Sequence, residues 1–261
     1  MSSTGSESGM GDGRRIRIGE IEVNAAGDGD VLFIHGAGMN SRIWERQLSS
    51  VGGIAVDLPN HGKSGKMNVR SLREYAEFLV EFVEIVNLNP IIVAHSMGGA
   101  IAQEYMVLGG SARGAVLVST GPSLKVNPRV FEGIERNFEE TVGRFVRWMF
   151  SRGFDGKKIT ENIKRMIIEE GKETFRRDLL LCDSFDLQEK YRKNEIRFEC
   201  PVMIVCGNED AVTPPHLSEF LKGYISNSKL AFIHGCGHLP MVEKTEEFNK
   251  ILREFQDELR D

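Results

Sequence analysis

Short apolar runs recur along most of the chain, and amphipathic segments separate them. The runs lie at residues 31–34, 54–56, 91–93, 115–118 and 202–206, and a last one covers residues 230–233. Runs of this length, rich in β-branched residues, are typical of strands in the middle of a sheet. We therefore expect six strands that follow one another at intervals filled by helices.

The segments around these runs predict a hairpin and several helices. Residues 15–24 alternate polar and apolar side chains, as in a hairpin with one face in water. A helical pattern covers residues 41–50, and Ser71 with Glu74 has the sequence of a capping box at the start of another helix. Because strands and helices alternate, the sequence predicts an α/β fold with a mostly parallel, doubly wound sheet and helices on both faces.

The alternation stops after Pro122, and no strand pattern returns before Val202. The segment between them is helical in pattern. Its first helix is expected to carry one apolar stripe, with Trp148 beside it, formed by Phe131, Ile134, Phe138, Val142, Phe145 and Met149. We expect a core domain of residues 14–121 and 201–261, with a helical cap of residues 122–200 inserted over the strand ends. A separate helical bundle with its own function is the alternative.

Composition limits the classes of partner and compartment. The chain of 261 residues has 33 Lys and Arg against 38 Asp and Glu, and a net charge of −5 argues against a nucleic-acid partner. No apolar run approaches the roughly 18 residues of a membrane span. Residues 1–13 are rich in Ser and Gly and lack the apolar core of a signal peptide, so a disordered tail is expected. Most of the four cysteines are expected to be reduced, which favours the cytoplasm. We expect a monomer or a homodimer.

Residues 94–98 read Ala-His-Ser-Met-Gly and place Ser96 between a strand pattern and a helix pattern. A serine at such a junction lies on a sharp turn with unfavourable backbone angles, which lifts its hydroxyl clear of the sheet. The pattern is G-x-S-x-G with Ala94 in place of the first glycine, a difference of one methyl group. The alternative is a serine that only caps a buried helix.

Further polar side chains follow the carboxyl ends of other predicted strands, where ligands bind in sheets of this kind. They are His35, Asp57, Asp210 and His238. A serine nucleophile needs a base and a third group that orients the base. His238, in a Gly-rich loop, is the candidate base, although a buried structural histidine is the alternative. Asp210 is the candidate orienting acid, and Glu209 is its competitor.

Backbone N–H groups can hold the negative charge that develops on a carbonyl oxygen. We expect one from Met97, at the start of a helix, and one from Ala37, in the Gly-rich turn at residues 35–38. That turn lacks the lysine and the length of a phosphate-binding loop. Asp57 is expected to bond backbone amides of the turn at residues 60–64. Cys236 and His238 are too close to each other and too isolated to indicate a metal site. Neither a metal nor a cofactor is therefore expected.

These features together resemble the α/β-hydrolase family, in particular its capped esterase-like members. The resemblance is carried by residues 35–38, residues 57–64, residues 94–98, and Asp210 with His238, in that order. It covers nearly everything from residue 15 to the end of the chain. It implies that Ser96, Asp210 and His238 are the catalytic triad and that Ala37 and Met97 form the oxyanion hole.

The resemblance also implies a serine hydrolase that cleaves small carboxylic esters through an acyl-enzyme. Alternatives with the same triad are a monoacylglycerol or lysophospholipid lipase, a carbon–carbon bond hydrolase and a cofactor-free perhydrolase; a ligand-binding receptor is the non-enzymatic alternative. An apolar pocket for the small-molecule substrate is expected from Met39, Trp148, Val212 and Leu239, together with the Met97 side chain. Asn60 stands where a glycine is common, and asparagine tolerates the left-handed conformation.

Overall fold

A sheet of eight strands runs through the computed structural model, which describes residues 13–260. The strands are β1 (Arg14–Ile18), β2 (Ile21–Asp28), β3 (Val31–Ile34), β4 (Gly53–Val56), β5 (Ile91–His95), β6 (Gly114–Val118), β7 (Val202–Gly207) and β8 (Ser228–Ile233). Their order across the sheet is β1-β2-β4-β3-β5-β6-β7-β8. The tail expected at residues 1–13 lies, except for Gly13, outside the described residues.

The pairing of the strands agrees with the sequence pattern. β1 and β2 form an antiparallel hairpin, and β2 pairs antiparallel with β4. The strands from β3 to β8 run parallel to one another. Strands β3 to β7 are buried along their whole length, whereas β8 lies at the sheet edge and is only partly buried. The predicted hairpin, the six following strands and the mostly parallel sheet are therefore confirmed.

Helices flank the sheet and join its strands. They are α1 (Glu45–Val51), α2 (Leu72–Ile85), α3 (Met97–Val107), α4 (Pro128–Arg136), α5 (Phe138–Met149), α6 (Lys157–Glu170), α7 (Lys172–Ser184), α8 (Gln188–Arg192), α9 (Pro215–Tyr224), α10 (Pro240–Glu243) and α11 (Thr245–Glu258). Across residues 13–260, none of these helices is both long enough and apolar enough to pass through a bilayer.

Two helix starts differ in detail from the sequence prediction. The helix expected over residues 41–50 begins as a 3₁₀ turn, Ser41–Trp44, before α1 follows. At α2, the Ser71 hydroxyl accepts a hydrogen bond from the Glu74 N–H at 3.3 Å, as in a capping box. The Glu74 carboxylate bonds the Arg70 N–H at 2.7 Å instead of the Ser71 N–H, so only half of the capping box forms.

Five helices, α4 to α8, lie in the chain between the neighbouring strands β6 and β7, and we call this segment the helical insertion. The expected single first helix is wrong, because Asn137 divides it into α4 and α5. Its backbone leaves the helical region (φ −157°), and its side chain caps α5 by accepting from the Glu140 N–H at 3.2 Å. The apolar stripe continues across the break, with Ile134, Val142 and Met149 buried.

Candidate active site

Ser96 occupies the sharp turn between β5 and α3. Its backbone has φ 52° and ψ −114°, an unfavourable conformation for a residue with a side chain. A Cβ at Gly98 would lie 2.6 Å from the Ile34 carbonyl oxygen and 2.7 Å from that of His35, so strand and helix backbones meet here. Ala94, which replaces the first glycine of the pattern, is buried in β5 without disturbing its pairing. The predicted strained turn is confirmed.

Asp210, after β7, and His238, after β8, form a buried hydrogen-bonded pair. The His238 Nδ1 lies 2.9 Å from an Asp210 carboxylate oxygen, and both side chains are at most 1% exposed. Thr213 donates to the same carboxylate from its N–H and from its hydroxyl, each at 2.8 Å. Burial disfavours the charged form of Asp210, yet the charge of His238 and the hydrogen bonds from His238 and Thr213 hold its pKa below the usual range. The carboxylate is therefore ionised and fixes the imidazole orientation.

Glu209, the competing acid, faces another partner. Its carboxylate accepts a hydrogen bond from the Arg152 N–H of the helical insertion at 3.1 Å. Thr213, in contrast, was not singled out by the sequence, although its hydroxyl also lies 3.2 Å from the His238 Nδ1. A threonine three residues after an acid at a strand end is the only local signal that could have indicated it.

The backbone of His238 is held from two sides. Its N–H donates to the Met149 carbonyl oxygen, at the end of α5, at 2.7 Å. Its carbonyl oxygen lies 2.9 Å from the Nε2 of His95, the last residue of β5. Gly237 has no Cβ, and one would lie 2.5 Å from the same Met149 oxygen. The helical insertion and the nucleophile strand therefore fix the loop that carries the candidate base.

The two candidate oxyanion donors lie on either side of the Ser96 turn. Met97 is the first residue of α3, where backbone N–H groups have no intrahelical acceptor. Ala37 follows β3 in a loop that packs closely against the Ser96 turn. A Cβ added to Gly36 of this loop would lie 3.3 Å from the Ser96 Cβ. Ala37 and Ser96 line the same cavity. Both N–H groups come from segments that border the nucleophile.

A cavity of about 740 Å³ opens beside Ser96 and His238. Met39, Trp148 and Val212, three of the residues expected from the sequence, line it. Leu239 does not line it; its side chain is fully buried just before α10. The lining also includes apolar residues that the sequence analysis did not assign to the pocket: Pro122, Leu124, Val126, Val130, Phe145, Met149, Leu179, Leu217 and Phe220. The Met97 side chain, which the sequence also assigned to the pocket, is buried as well and is absent from the lining.

The other polar residues at the strand ends have structural partners. The Asp57 carboxylate accepts from the Lys63 N–H at 3.0 Å and the Ser41 N–H at 2.8 Å, so its predicted role in the turn is confirmed. His35 accepts from the Leu58 N–H at 3.1 Å through Nε2. Burial and the neighbouring His61 lower the pKa of His35 to about 4, so this ring is neutral. Asn60 has φ 75°, the left-handed conformation expected there.

No metal site accompanies these residues in the described part of the chain. Across residues 13–260, no three His, Cys, Asp or Glu side chains are grouped as ligands. Cys236 is buried next to the His238 loop, and its thiol faces the Gly237 carbonyl oxygen at 3.6 Å. Burial raises the pKa of this thiol, which keeps it protonated.

Comparison with known proteins agrees with the order of these elements. A profile of the Alpha/beta hydrolase family matches residues 31–251, from β3 into α11. The chain belongs to this family. In this α/β hydrolase, the candidate residues Ser96, Asp210 and His238 come in the chain order that the family has for nucleophile, acid and base.

Several similar proteins are esterases. The pimeloyl-[acyl-carrier protein] methyl ester esterase of Nitrosospira multiformis is 28% identical over 259 residues, covering 87% of this chain and 95% of the relative. A solved structure described as a thermophilic esterase is 34% identical, with a TM-score of 0.89 over 94% of this chain and 97% of that one. An esterase from Exiguobacterium antarcticum shares the fold, with a TM-score of 0.85 at 19% identity over 95% and 100% of the two chains. The prediction of an α/β hydrolase that acts on ester bonds is confirmed.

Proposed function

We propose that this α/β hydrolase is a serine carboxylesterase in which Ser96 is the nucleophile, His238 the base and Asp210 the orienting acid. One observation carries the proposal. His238, whose Nδ1 lies 2.9 Å from the buried Asp210 carboxylate, lines the same cavity as Ser96 on its strained turn. A strained serine beside an oriented imidazole is the arrangement that acyl transfer requires.

The reaction would proceed in two halves. Neutral His238 takes the Ser96 hydroxyl proton as the oxygen attacks the ester carbonyl, and the N–H groups of Ala37 and Met97 hold the resulting oxyanion. Collapse of this intermediate expels the alcohol, which takes the proton from His238, and leaves an acyl group on Ser96. Water, deprotonated by His238, then attacks the acyl carbonyl, and the acid leaves as Ser96 recovers its proton. The ionised Asp210 stabilises the imidazolium in both halves.

The cavity supports a substrate with an apolar acyl group and a small alcohol. Its walls are largely aliphatic and aromatic, and its volume falls in the range of sites for small molecules. The relative from Nitrosospira multiformis bears the name of a methyl ester esterase, which favours methyl and ethyl esters as first substrates to test.

We further propose that residues 122–200 are a cap that determines which esters enter. Val130, Phe145 and Leu179 come from three different helices of the insertion, and all line the cavity. A cytoplasmic location is also part of the proposal, supported by four cysteines that are all buried as free thiols.

The test is a panel of methyl and ethyl esters of increasing acyl length, assayed with the full chain and with Ser96→Ala. We expect multiple turnovers with the unmodified chain and a loss of kcat on the order of 10⁶ in the variant, as in a comparable triad. A fluorophosphonate should label Ser96 and no other residue, as judged by mass spectrometry of peptides. Retention of more than a few percent of activity in Ser96→Ala, or labelling elsewhere, would contradict the proposal.

A further inference from the structure

Asp178, on α7 of the helical insertion, contacts the loop that carries the Ala37 donor. Its carboxylate accepts a hydrogen bond from the Gly38 N–H at 2.9 Å, across 140 residues of sequence. The same oxygen lies 2.7 Å from the Nε2 of His61, and the second oxygen accepts from Arg177 at 3.0 Å. Asp178 and His61 are completely buried. A charged group in such a position is costly unless it is paired, and here Gly38, His61 and Arg177 each place a nitrogen against the carboxylate.

His61 is the cation that balances this carboxylate. Its Nδ1 lies 3.1 Å from the Pro59 carbonyl oxygen, while its Nε2 faces the carboxylate. A carbonyl oxygen and a carboxylate only accept hydrogen bonds, so both ring nitrogens must carry a proton. Burial alone would lower the pKa of His61, but the charge and hydrogen bond of Asp178 raise it above the ordinary value, in agreement with the geometry.

The Gly38 N–H belongs to the central peptide of a tight turn. The Met39 N–H donates to the Gly36 carbonyl oxygen at 3.3 Å, which closes a four-residue turn with Ala37 and Gly38 in the middle. Gly38 has φ 63°, the conformation that a type II turn requires at its third position. The central peptide of such a turn faces the opposite way in type I. An acceptor fixed on the Gly38 N–H therefore selects one of the two arrangements.

We propose that Asp178 is a positioning residue for the oxyanion hole, because its carboxylate, held by the His61 imidazolium, fixes the turn that presents the Ala37 N–H. This inference rests on the proposed function, in which Ala37 stabilises the oxyanion. It makes the helical insertion part of the catalytic arrangement as well as a wall of the cavity. Packing of α7 against this turn then also fixes the orientation of the Ala37 N–H.

Four variants test the inference. Asp178→Ala removes the acceptor. Asp178→Asn keeps an oxygen that can accept from the Gly38 N–H. The double variant Asp178→Ala with His61→Leu is used if the single variant fails to fold, because it does not leave the buried His61 imidazolium without its carboxylate. Glu135→Gln is the control, since it breaks exposed ion pairs of α4 with Lys172 and Arg176 of α7 at a residue outside the turn.

The readouts separate oxyanion stabilisation from folding. Each variant is assayed for kcat and KM with one ester, for thermal unfolding, and for inhibition by a trifluoromethyl ketone, which forms an oxyanion on the nucleophile. We expect Asp178→Ala and the double variant to lose about 10- to 100-fold in kcat and in affinity for the ketone, less than deletion of an oxyanion donor, with KM unchanged. For Asp178→Asn and Glu135→Gln, kcat and the affinity for the ketone should stay within about threefold of the values of the unmodified chain.

The outcomes against the inference are distinct from those against the proposed function. If the folded Asp178→Ala variant or the double variant keeps kcat and ketone affinity while only the unfolding temperature falls, Asp178 merely anchors α7. If Asp178→Asn loses as much as Asp178→Ala, the hydrogen bond to Gly38 is not what matters. Either result overturns the inference. Failure of the fluorophosphonate to label Ser96 in the unmodified chain would instead contradict the triad itself.

Discussion

The Nε2 of His95 lies 2.9 Å from the backbone oxygen of His238, so the residue before the nucleophile bonds the candidate base. Burial and the nearby His238 lower the pKa of His95 well below the ordinary value, and the ring is neutral. Because a carbonyl oxygen needs a donor, the single proton lies on Nε2. The Nδ1 of His95 then has no hydrogen-bond partner among residues 13–260.

This contact predicts a positional effect of His95 on catalysis. His95→Leu removes the donor and frees the His238 loop on one side. A buried hydrogen bond is worth about 1 kcal/mol, so we expect kcat to fall about fivefold. His95→Gln, which retains a donor, should lose less. Steady-state kinetics of both variants provide the measurement, with the exposed His234→Gln as control. An unchanged kcat in His95→Leu would show that the Met149 contact alone holds the loop.

The orienting role of Asp210 predicts a large kinetic effect with little change in fold. Asp210→Asn presents an amide to the His238 Nδ1 and permits the wrong tautomer, an exchange that costs roughly 10⁴ in kcat in a comparable triad. The measurement is kcat of Asp210→Asn beside Glu209→Gln, with circular dichroism to confirm folding. We expect Glu209→Gln to lose far less, because that carboxylate accepts from the Arg152 N–H of the helical insertion. A larger loss in Glu209→Gln would move the acid role to Glu209.

The chemistry of the strand ends could be predicted from the sequence, because parallel strands bring their carboxyl ends to one edge. Ser96 was marked by a local pattern, since its turn needs small neighbours such as Gly98. His238 and Asp210 follow successive strands, β8 and β7, whose parallel pairing brings the two side chains together. The fold and the candidate triad therefore follow from short-range patterns combined with one rule of topology.

Contacts between the helical insertion and the sheet could not be predicted in this way. Asp178 and His61 are 117 residues apart, and a charged residue on a helix ordinarily faces water. The break at Asn137 was missed because apolar residues continue at helical spacing on both sides of it. Leu239 was assigned to the pocket as the neighbour of His238, but adjacent residues point in different directions where the chain turns into α10.

The buried Asp178–His61 pair predicts a pH-dependent stability. The pKa of Asp178 is lowered: burial opposes this, but the charge and hydrogen bond of His61 outweigh it. The contribution of ionised Asp178 to the free energy of unfolding is present above the ordinary pKa of Asp. It is lost as the pH falls through the lowered pKa of the folded state. The pKa of His61 is raised, so its contribution is complete below about pH 6.5 and is lost as the pH rises through the raised pKa. Glu170, Arg177, His35 and Tyr75 also face this pair.

Thermal unfolding of the unmodified chain and of Asp178→Asn from pH 4 to 10 measures this effect. Removal of one partner from a buried pair costs about 3–5 kcal/mol, which corresponds to a Tm lower by on the order of 10 °C in a chain of this size. We expect the difference in Tm to be largest between about pH 4 and 6.5 and to shrink at higher pH. Glu135→Gln, at an exposed pair, should have a small difference at every pH. A constant difference for Asp178→Asn would mean that His61 is not the titrating partner.

Trp148 predicts how the cavity selects its substrate. Its ring lines the cavity from α5 while half of its surface stays exposed, so it lies at the boundary between the cavity and solvent. An apolar cavity gains about 0.8 kcal/mol for each CH₂ group buried, or about fourfold in kcat/KM, until it is full. We expect kcat/KM of the unmodified chain to rise with acyl length and then fall.

Trp148→Ala widens the boundary and should move the maximum toward longer or bulkier acyl groups. Leu180→Ala, at an exposed apolar residue of the same insertion that does not line the cavity, should leave the maximum in place. An unchanged profile in Trp148→Ala, or an equal loss for every ester, would make Trp148 a packing residue and place the limit on acyl length elsewhere in the cavity.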